Sequence, residues 1–140
     1  MREVIPQRLW LGNAGDARNP GRVLDAGITA VVNLAGEELP PNLPRDVIYC
    51  HFPVVDGPDN PPQLLEIAIR TVATLLEEEV PTLVYCEEGM SRSLALTAAA
   101  ISRWRGQTPE AALKSVIGDA PHDVSTALWH DIRALVAEAG

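Results

Sequence analysis

Cys86 and Arg92 stand six positions apart in the string Cys86-Glu87-Glu88-Gly89-Met90-Ser91-Arg92-Ser93. A loop of that length can wrap its backbone N–H groups around a tetrahedral oxyanion while the N-terminus of a following helix points at the same spot. A cysteine at the loop floor serves as nucleophile, because helix N-termini and neighbouring arginines favour the thiolate. An arginine returning over the rim grips two oxygens at once. Gly89 permits close approach or positive φ where the loop turns. Ser91 and Ser93 can donate hydroxyl hydrogen bonds inward, and Ser93, next to the arginine, is the better candidate to stabilise the departing sulfur. The chemistry predicted is transfer of a phosphoryl group onto Cys86, with Glu87, Glu88, Gly89, Met90, Ser91 and Arg92 forming the substrate-binding loop. The bland alternative is a chance spacing around an inert buried cysteine. The full string, with glycine in the loop and serine on both sides of arginine, favours the functional reading.

Such a loop needs a strand before it and a helix after it, and the chain supplies both. Thr82-Leu83-Val84-Tyr85 reads as a buried strand, and residues 92–103 as a helix apolar nearly all round, suited to the middle of a fold. Upstream, residues 5–13 read as a short strand with a turn at Gly12-Asn13, and residues 20–26 as a short helix stopped by Gly27. Residues 28–34 are β-branched and apolar, which suits a strand covered on both faces. Residues 36–44, with three prolines, read as a loop, and residues 47–55 as a second buried strand. A helix over about 61–79 has its buried stripe at Leu64, Leu65, Ala68, Val72, Leu75 and Leu76, ending in an acidic run expected to be solvated. Thr108 and Pro109 open a helix to about 116, and a last helix starts near Val124 with Leu128, Ile132, Leu135 and Val136 on one side. Strands alternating with helices predict an α/β fold: three layers, αβα, around a central, mostly parallel sheet of four to five strands. The loop then lies at the carboxyl end of a central strand, where open sheets bind ligands.

Composition narrows the partners. The 140 residues, 46% hydrophobic and 21% charged, suit one globular domain spanning 1–140. No apolar run approaches the ~20 residues of a membrane span, and the first residues lack the apolar stretch of a secretory signal. Two cysteines make no disulfide framework, so a cytoplasmic location is expected. A net charge of −8 argues against nucleic acid and anionic lipid as partners. His51, His122 and His130 are far apart and in no ligand-like spacing, so no metal is expected.

The loop string resembles the signature of dual-specificity protein phosphatases, within the cysteine-dependent phosphatase superfamily. Residues 5–14 resemble that family's opening strand and turn, and residues 27–34 its next strand. The resemblance implies a small α/β domain with a shallow pocket, a cysteinyl-phosphate intermediate and no metal; no cofactor and a monomer are expected. Its substrates would be phosphotyrosine, and also phosphoserine or phosphothreonine, in a protein or peptide, or a small phosphomonoester. It also implies a general acid ahead of the signature loop. Asp56, ending a strand and opening a mobile-looking Gly/Pro loop, matches that position, with Asp59 as runner-up; either can instead start a turn or cap the next helix. In the implied mechanism Cys86 attacks phosphorus while Asp56 protonates the leaving oxygen; water then hydrolyses the phosphocysteine with Asp56 as base, Ser93 helping the sulfur depart. Arg92 and the loop amides hold the phosphoryl oxygens throughout.

The chain departs from the family pattern at two points. Tyr85 stands where the family usually carries His, and a phenol lends no positive charge. Glu87 and Glu88 place two carboxylates beside the phosphate; pointing outward, each would cost only ~0.5–2 kcal/mol. They disfavour polyanionic substrates and favour one with positive charge nearby. Cys50 reads as a packed core residue, with a redox role toward Cys86 as the alternative, and Trp10, Trp104 and Trp129 as packing residues. Competing assignments are a phosphoresidue-binding pseudophosphatase with little turnover, and another cysteine-loop enzyme such as an arsenate reductase or sulfurtransferase. The arsenate and low-molecular-weight types place their loop near the N-terminus, whereas this one lies past mid-chain.

Overall fold

Tyr85 and its neighbours can be wholly buried only in the middle of a covered sheet, and that is where the computed structural model, which describes residues 1–36 and 41–139, places them. Strand β5 (Thr82–Cys86) is buried at all five positions. Four other strands, β1 (Arg2–Ile5), β2 (Leu9–Asn13), β3 (Ala30–Ala35) and β4 (Ile48–Val54), complete a sheet of order β1-β2-β5-β3-β4. β1 runs antiparallel to β2, and every other pairing is parallel. Side-chain alternation splits β5 between two cores: Leu83 and Tyr85 face one layer, Val84 and Cys86 the other.

The first layer is thin. Helices α1 (Ala14–Ala17) and α2 (Pro20–Asp25) cover Trp10, Val31, Leu83 and Tyr85. The second holds α3 (Pro62–Glu77), α4 (Arg92–Arg105), α5 (Pro109–Ile117) and α6 (Thr126–Ala139). Every residue of α4 from 92 to 102 is buried, since α3, α5 and α6 all pack around it. Alanines at 95, 98, 99 and 100 let those helices approach closely. Gly106, at φ 73, ends α4 in the left-handed cap, and Thr108 caps α5 by accepting the Ala111 N–H. Among the described residues no helix is long and apolar enough to cross a membrane.

The alternation of strands and helices thus forms the expected three-layer architecture, with several corrections inside it. Residues 5–13 are not one strand: Pro6-Gln7 turns the chain, with Gln7 at φ 63 and the Arg8 N–H on the Ile5 carbonyl at 3.0 Å, pairing β1 with β2. The stretch 47–55, expected to be buried, forms an edge strand; only Val54 is fully buried, and His51 and Pro53 are exposed. Proline is tolerated there because an edge N–H has no ladder partner. Four residues of the 36–44 loop, 37–40, lie outside the described residues. Helix α3 stops at Glu77 because Glu79 takes φ 60 and the Val80 N–H reaches back to the Leu75 carbonyl. In its stripe Ile69 is buried and Leu64 only half-buried. The acidic run 77–79 is exposed as expected, with Glu79 also pairing with Arg8 at 2.5 Å. Val124 precedes α6 rather than joining it.

Candidate active site

Strand β5 delivers Cys86, and α4 begins at Arg92, so residues 87–91 must turn the chain within one short loop. Gly89 makes this possible. Its φ is +73, and a Cβ there would lie 2.9 Å from the Gly12 carbonyl oxygen, so the loop sits directly on the end of β2. Two outer contacts orient the loop's peptide groups. The Ala14 N–H donates to the Glu87 carbonyl at 3.1 Å, and the Asp123 N–H to the Met90 carbonyl at 2.8 Å. In a planar trans peptide the N–H opposes the C=O. The amides of Glu88 and Ser91 are therefore turned away from those outer partners, toward the inside of the loop.

The loop encloses a hollow of about 240 Å³, lined by Cys86, Arg92, Glu87, Glu88, Met90 and Ser91 together with Asp56 and Asp123. Cys86 is 2% exposed, and its Sγ lies 3.4 Å from the Ser93 hydroxyl in the first turn of α4. The guanidinium of Arg92, 8% exposed, donates from Nη1 to the Val54 carbonyl at 3.0 Å, joining the loop to the end of β4. Four carboxylates and one guanidinium face this space. Glu88 is exposed, but Glu87 is half-buried with one carboxylate oxygen out of contact with solvent, so only Glu88 fits the outward orientation considered for the pair.

Asp56 is brought to the hollow, and Asp59 is not. The Asp56 carboxylate accepts the Ser91 hydroxyl at 2.5 Å. Asp59, at φ 74, lines a separate groove with Leu65 and Asp131 between α3 and α6. Asn60 holds the loop between β4 and α3, which the sequence suggested was mobile. Its side-chain oxygen accepts the Val55 N–H at 2.8 Å, and its amide donates to the Val55 and Gly57 carbonyls at 2.8 and 3.3 Å. Ser91 departs from expectation too: its hydroxyl donates to Asp56 and accepts the Ser125 N–H at 2.9 Å, rather than aiming at the oxyanion position.

Two other residues are resolved by register. Tyr85 is 1% exposed and points to the α1 and α2 layer, the opposite face from Cys86. Cys50 and Val84 lie level, each opposite Val32, so β3 separates Cys50 from β5. Two strand spacings, roughly 9.5 Å, already exceed the ~7 Å Cα limit of a disulfide. A Cys50–Cys86 redox pair is thus excluded in this fold, and burial pushes the Cys50 thiol up from its ordinary pKa. Trp10 is buried, and Trp104 and Trp129 half-buried, all three packed against the two cores as expected. Among the described residues no cluster of three or more His, Cys, Asp or Glu is arranged to hold a metal ion.

Sequence reasoning missed Asn60, Asp123 and Ser125. Asn60 carried a signal, since asparagine before Pro61-Pro62 favours a side-chain-closed turn. Asp123 and Ser125 carried none, because they meet the loop only through the packing of α5 and α6.

Comparison with known proteins agrees with this geometry. No family model matches the chain. Mouse dual-specificity phosphatase 28 is 32% identical over 113 residues, 80% of this chain. The aligned stretch spans 69% of the mouse protein and 58% of its human counterpart. The crystal structure of human dual-specificity phosphatase 28 superposes with a TM-score of 0.87 at 26% identity, covering 99% of this chain and 97% of that one. A mouse protein assigned to the dual-specificity phosphatases, solved in complex with zinc tungstate, gives 0.84 at 28% identity, covering 97% and 86%. With both the sequence match and the whole-chain superposition pointing the same way, the chain belongs to the dual-specificity phosphatases.

Proposed function

We propose that this protein hydrolyses phosphotyrosine monoesters, and phosphoserine or phosphothreonine as a second class, through a cysteinyl-phosphate intermediate. The observation that carries the reading is the convergence of Cys86, Arg92 and Asp56 on one hollow, with Ser93 against the sulfur. In the first step Cys86 attacks phosphorus; the bond from phosphorus to the leaving oxygen breaks, and Asp56 gives that oxygen a proton. In the second, water attacks the phosphocysteine, Asp56 takes the water's proton, and Ser93 donates to the departing sulfur. Arg92 and the inward amides bear the charge of the three equatorial oxygens. A related mouse protein was solved in complex with zinc tungstate, which contains a tetrahedral oxyanion of phosphate-like shape.

In this reading residues 1–140 act as one catalytic domain, monomeric and cytoplasmic, without metal or cofactor. The carboxylates of Asp56, Glu87, Glu88 and Asp123 around a single guanidinium favour substrates with positive charge beside the phosphate, rather than polyanions or membrane lipid. The second reading, a phosphoresidue binder with little turnover, draws on that same acidic lining and on a tyrosine before Cys86. Hydrolysis of p-nitrophenyl phosphate separates them. Turnover lost in Cys86→Ser and reduced in Asp56→Asn supports the enzyme. A wild type as slow as Cys86→Ser, yet retaining phosphopeptide, supports the binder.

A further inference from the structure

Two hydrogen bonds at the rim of the hollow determine where a proton can sit. The backbone N–H of Ser125 donates to Ser91 Oγ at 2.9 Å. An amide N–H has no other role, so Ser91 is the acceptor in that bond. The hydroxyl's one proton is then available for Asp56 Oδ1, 2.5 Å away. Ser91 is only 7% exposed, so its hydroxyl is committed to these two partners, while the Asp56 carboxyl itself is exposed. The segment supplying the amide is itself fixed. Asp123 bonds the Met90 carbonyl through its N–H at 2.8 Å, and Ser125 Oγ accepts the Leu128 N–H at 3.3 Å at the start of α6.

Resting on the phosphatase reading above, we propose that Ser91 is a positioning residue that occupies Asp56 Oδ1 and so reserves Oδ2 for the transferred proton. A proton on Oδ1 would confront the Ser91 proton and cost that hydrogen bond; a proton on Oδ2 preserves it. In the first step the proton leaves Oδ2 for the leaving oxygen as the sulfur–phosphorus bond forms and the phosphorus–oxygen bond breaks. In the second step Oδ2 recovers a proton from the attacking water as the sulfur–phosphorus bond breaks. Ser91 keeps its own proton throughout. The bond also gives the segment before α6 a direct influence on the acid, from a part of the chain more than sixty residues downstream of it.

The test compares kcat/KM for phenyl phosphate, whose leaving group needs a proton, with that for p-nitrophenyl phosphate, whose leaving group needs it far less. Ser91→Ala should lower the first about 10-fold or more and the second about 2- to 3-fold, within the ~10²–10⁴ that general acid catalysis supplies. Ser91→Thr, which retains the hydroxyl, should restore the wild-type ratio. On an Asp56→Asn background the Ser91→Ala effect on the ratio should vanish. Should Ser91→Ala fail to fold, Ser91→Cys, a weaker donor of similar size, carries the same comparison. Equal losses on both substrates, or an undiminished Ser91→Ala effect in Asp56→Asn, would overturn the proposal and leave Ser91 as a structural part of the loop. Turnover that survives Cys86→Ser would instead overturn the enzyme reading itself, and this proposal with it.

Discussion

The loop after β5 and the loop after β4 meet at one hollow, yet they are held in opposite ways. Residues 87–91 are braced from outside, by Gly12 in β2 and Ala14 at the start of α1 and by Asp123 and Ser125 ahead of α6. Residues 55–60 are closed from within, by Asn60 five positions from Val55. The difference fits their tasks. A cradle for an oxyanion must hold several amides at once, so its backbone is fixed by remote parts of the fold. An acid must present one carboxylate, and a self-closed turn at an edge strand suffices once Ser91 steadies that group. The helices that follow the two loops are themselves joined, since Arg103 of α4 makes a two-pronged pair with Glu66 of α3 at 2.6 and 2.7 Å.

If the cradle depends on its close seat against Gly12, Gly89→Ala is the most damaging change. The left-handed φ costs ~1 to 2 kcal/mol, and the contact with the Gly12 carbonyl forces the loop to shift. A displacement of that order should reduce kcat/KM on p-nitrophenyl phosphate about 100-fold, with a lowered melting temperature. Near-wild-type turnover in Gly89→Ala would show that the braced loop tolerates movement, and the contrast would lose its basis.

Asn60→Ala probes the other loop. It strips the turn of three hydrogen bonds at a buried site, costing about 2 kcal/mol of stability. Turnover should fall about 10-fold through a displaced Asp56, while alkylation of Cys86 by iodoacetamide keeps its wild-type rate. If alkylation changed as much as turnover, the two loops would be one mechanical unit.

The Glu66–Arg103 pair sharpens the comparison through pH. Hydrogen bonding from Arg103, reinforced by Arg70, holds the Glu66 carboxyl below the usual carboxylate range. A lowered folded-state pKa means that its contribution is complete above the unfolded value, ~4.3, and is lost as pH falls through the folded value beneath it. Glu66→Gln should therefore melt a few degrees below wild type at pH 7, for about 1 kcal/mol, with the gap narrowing toward pH 3. A gap that stayed constant with pH would assign the effect to packing. The smallest expected effect is at the exposed Glu88: Glu88→Ala should shift the preference for basic over neutral phosphopeptides only about 2- to 3-fold, as befits a screened surface charge. An unchanged ratio would remove Glu88 from substrate choice.

What was legible in the sequence tracks how local each feature is. The strand, loop and helix around Cys86 are contiguous, so residue type and spacing suffice to place Cys86, Arg92 and Ser93 together. Asp56 was legible through its family-like position, while the separation of Asp59 needed the φ of 74 that turns it to another groove. An apolar run such as 47–55 reads the same at a sheet's edge as at its centre, because strand order is set by other strands. The four-residue α1 is too short for periodicity, although Asn13 and Asp16 form a capping box there. Ser91's true partners come from elements 34 and 35 residues away, a link that only the fold displays.

The central claim is that Cys86 accepts the phosphoryl group, and acid quenching of the enzyme during turnover addresses it most directly. Wild type mixed with p-nitrophenyl phosphate, quenched within a turnover and digested, should yield the Cys86 peptide heavier by one phosphoryl group. Asp56→Asn, slowed in the water step, should accumulate more of it with this substrate, whose p-nitrophenolate leaving group needs a proton far less than phenolate does. Turnover at the wild-type rate with no phosphorylated Cys86 peptide at any time would contradict the account.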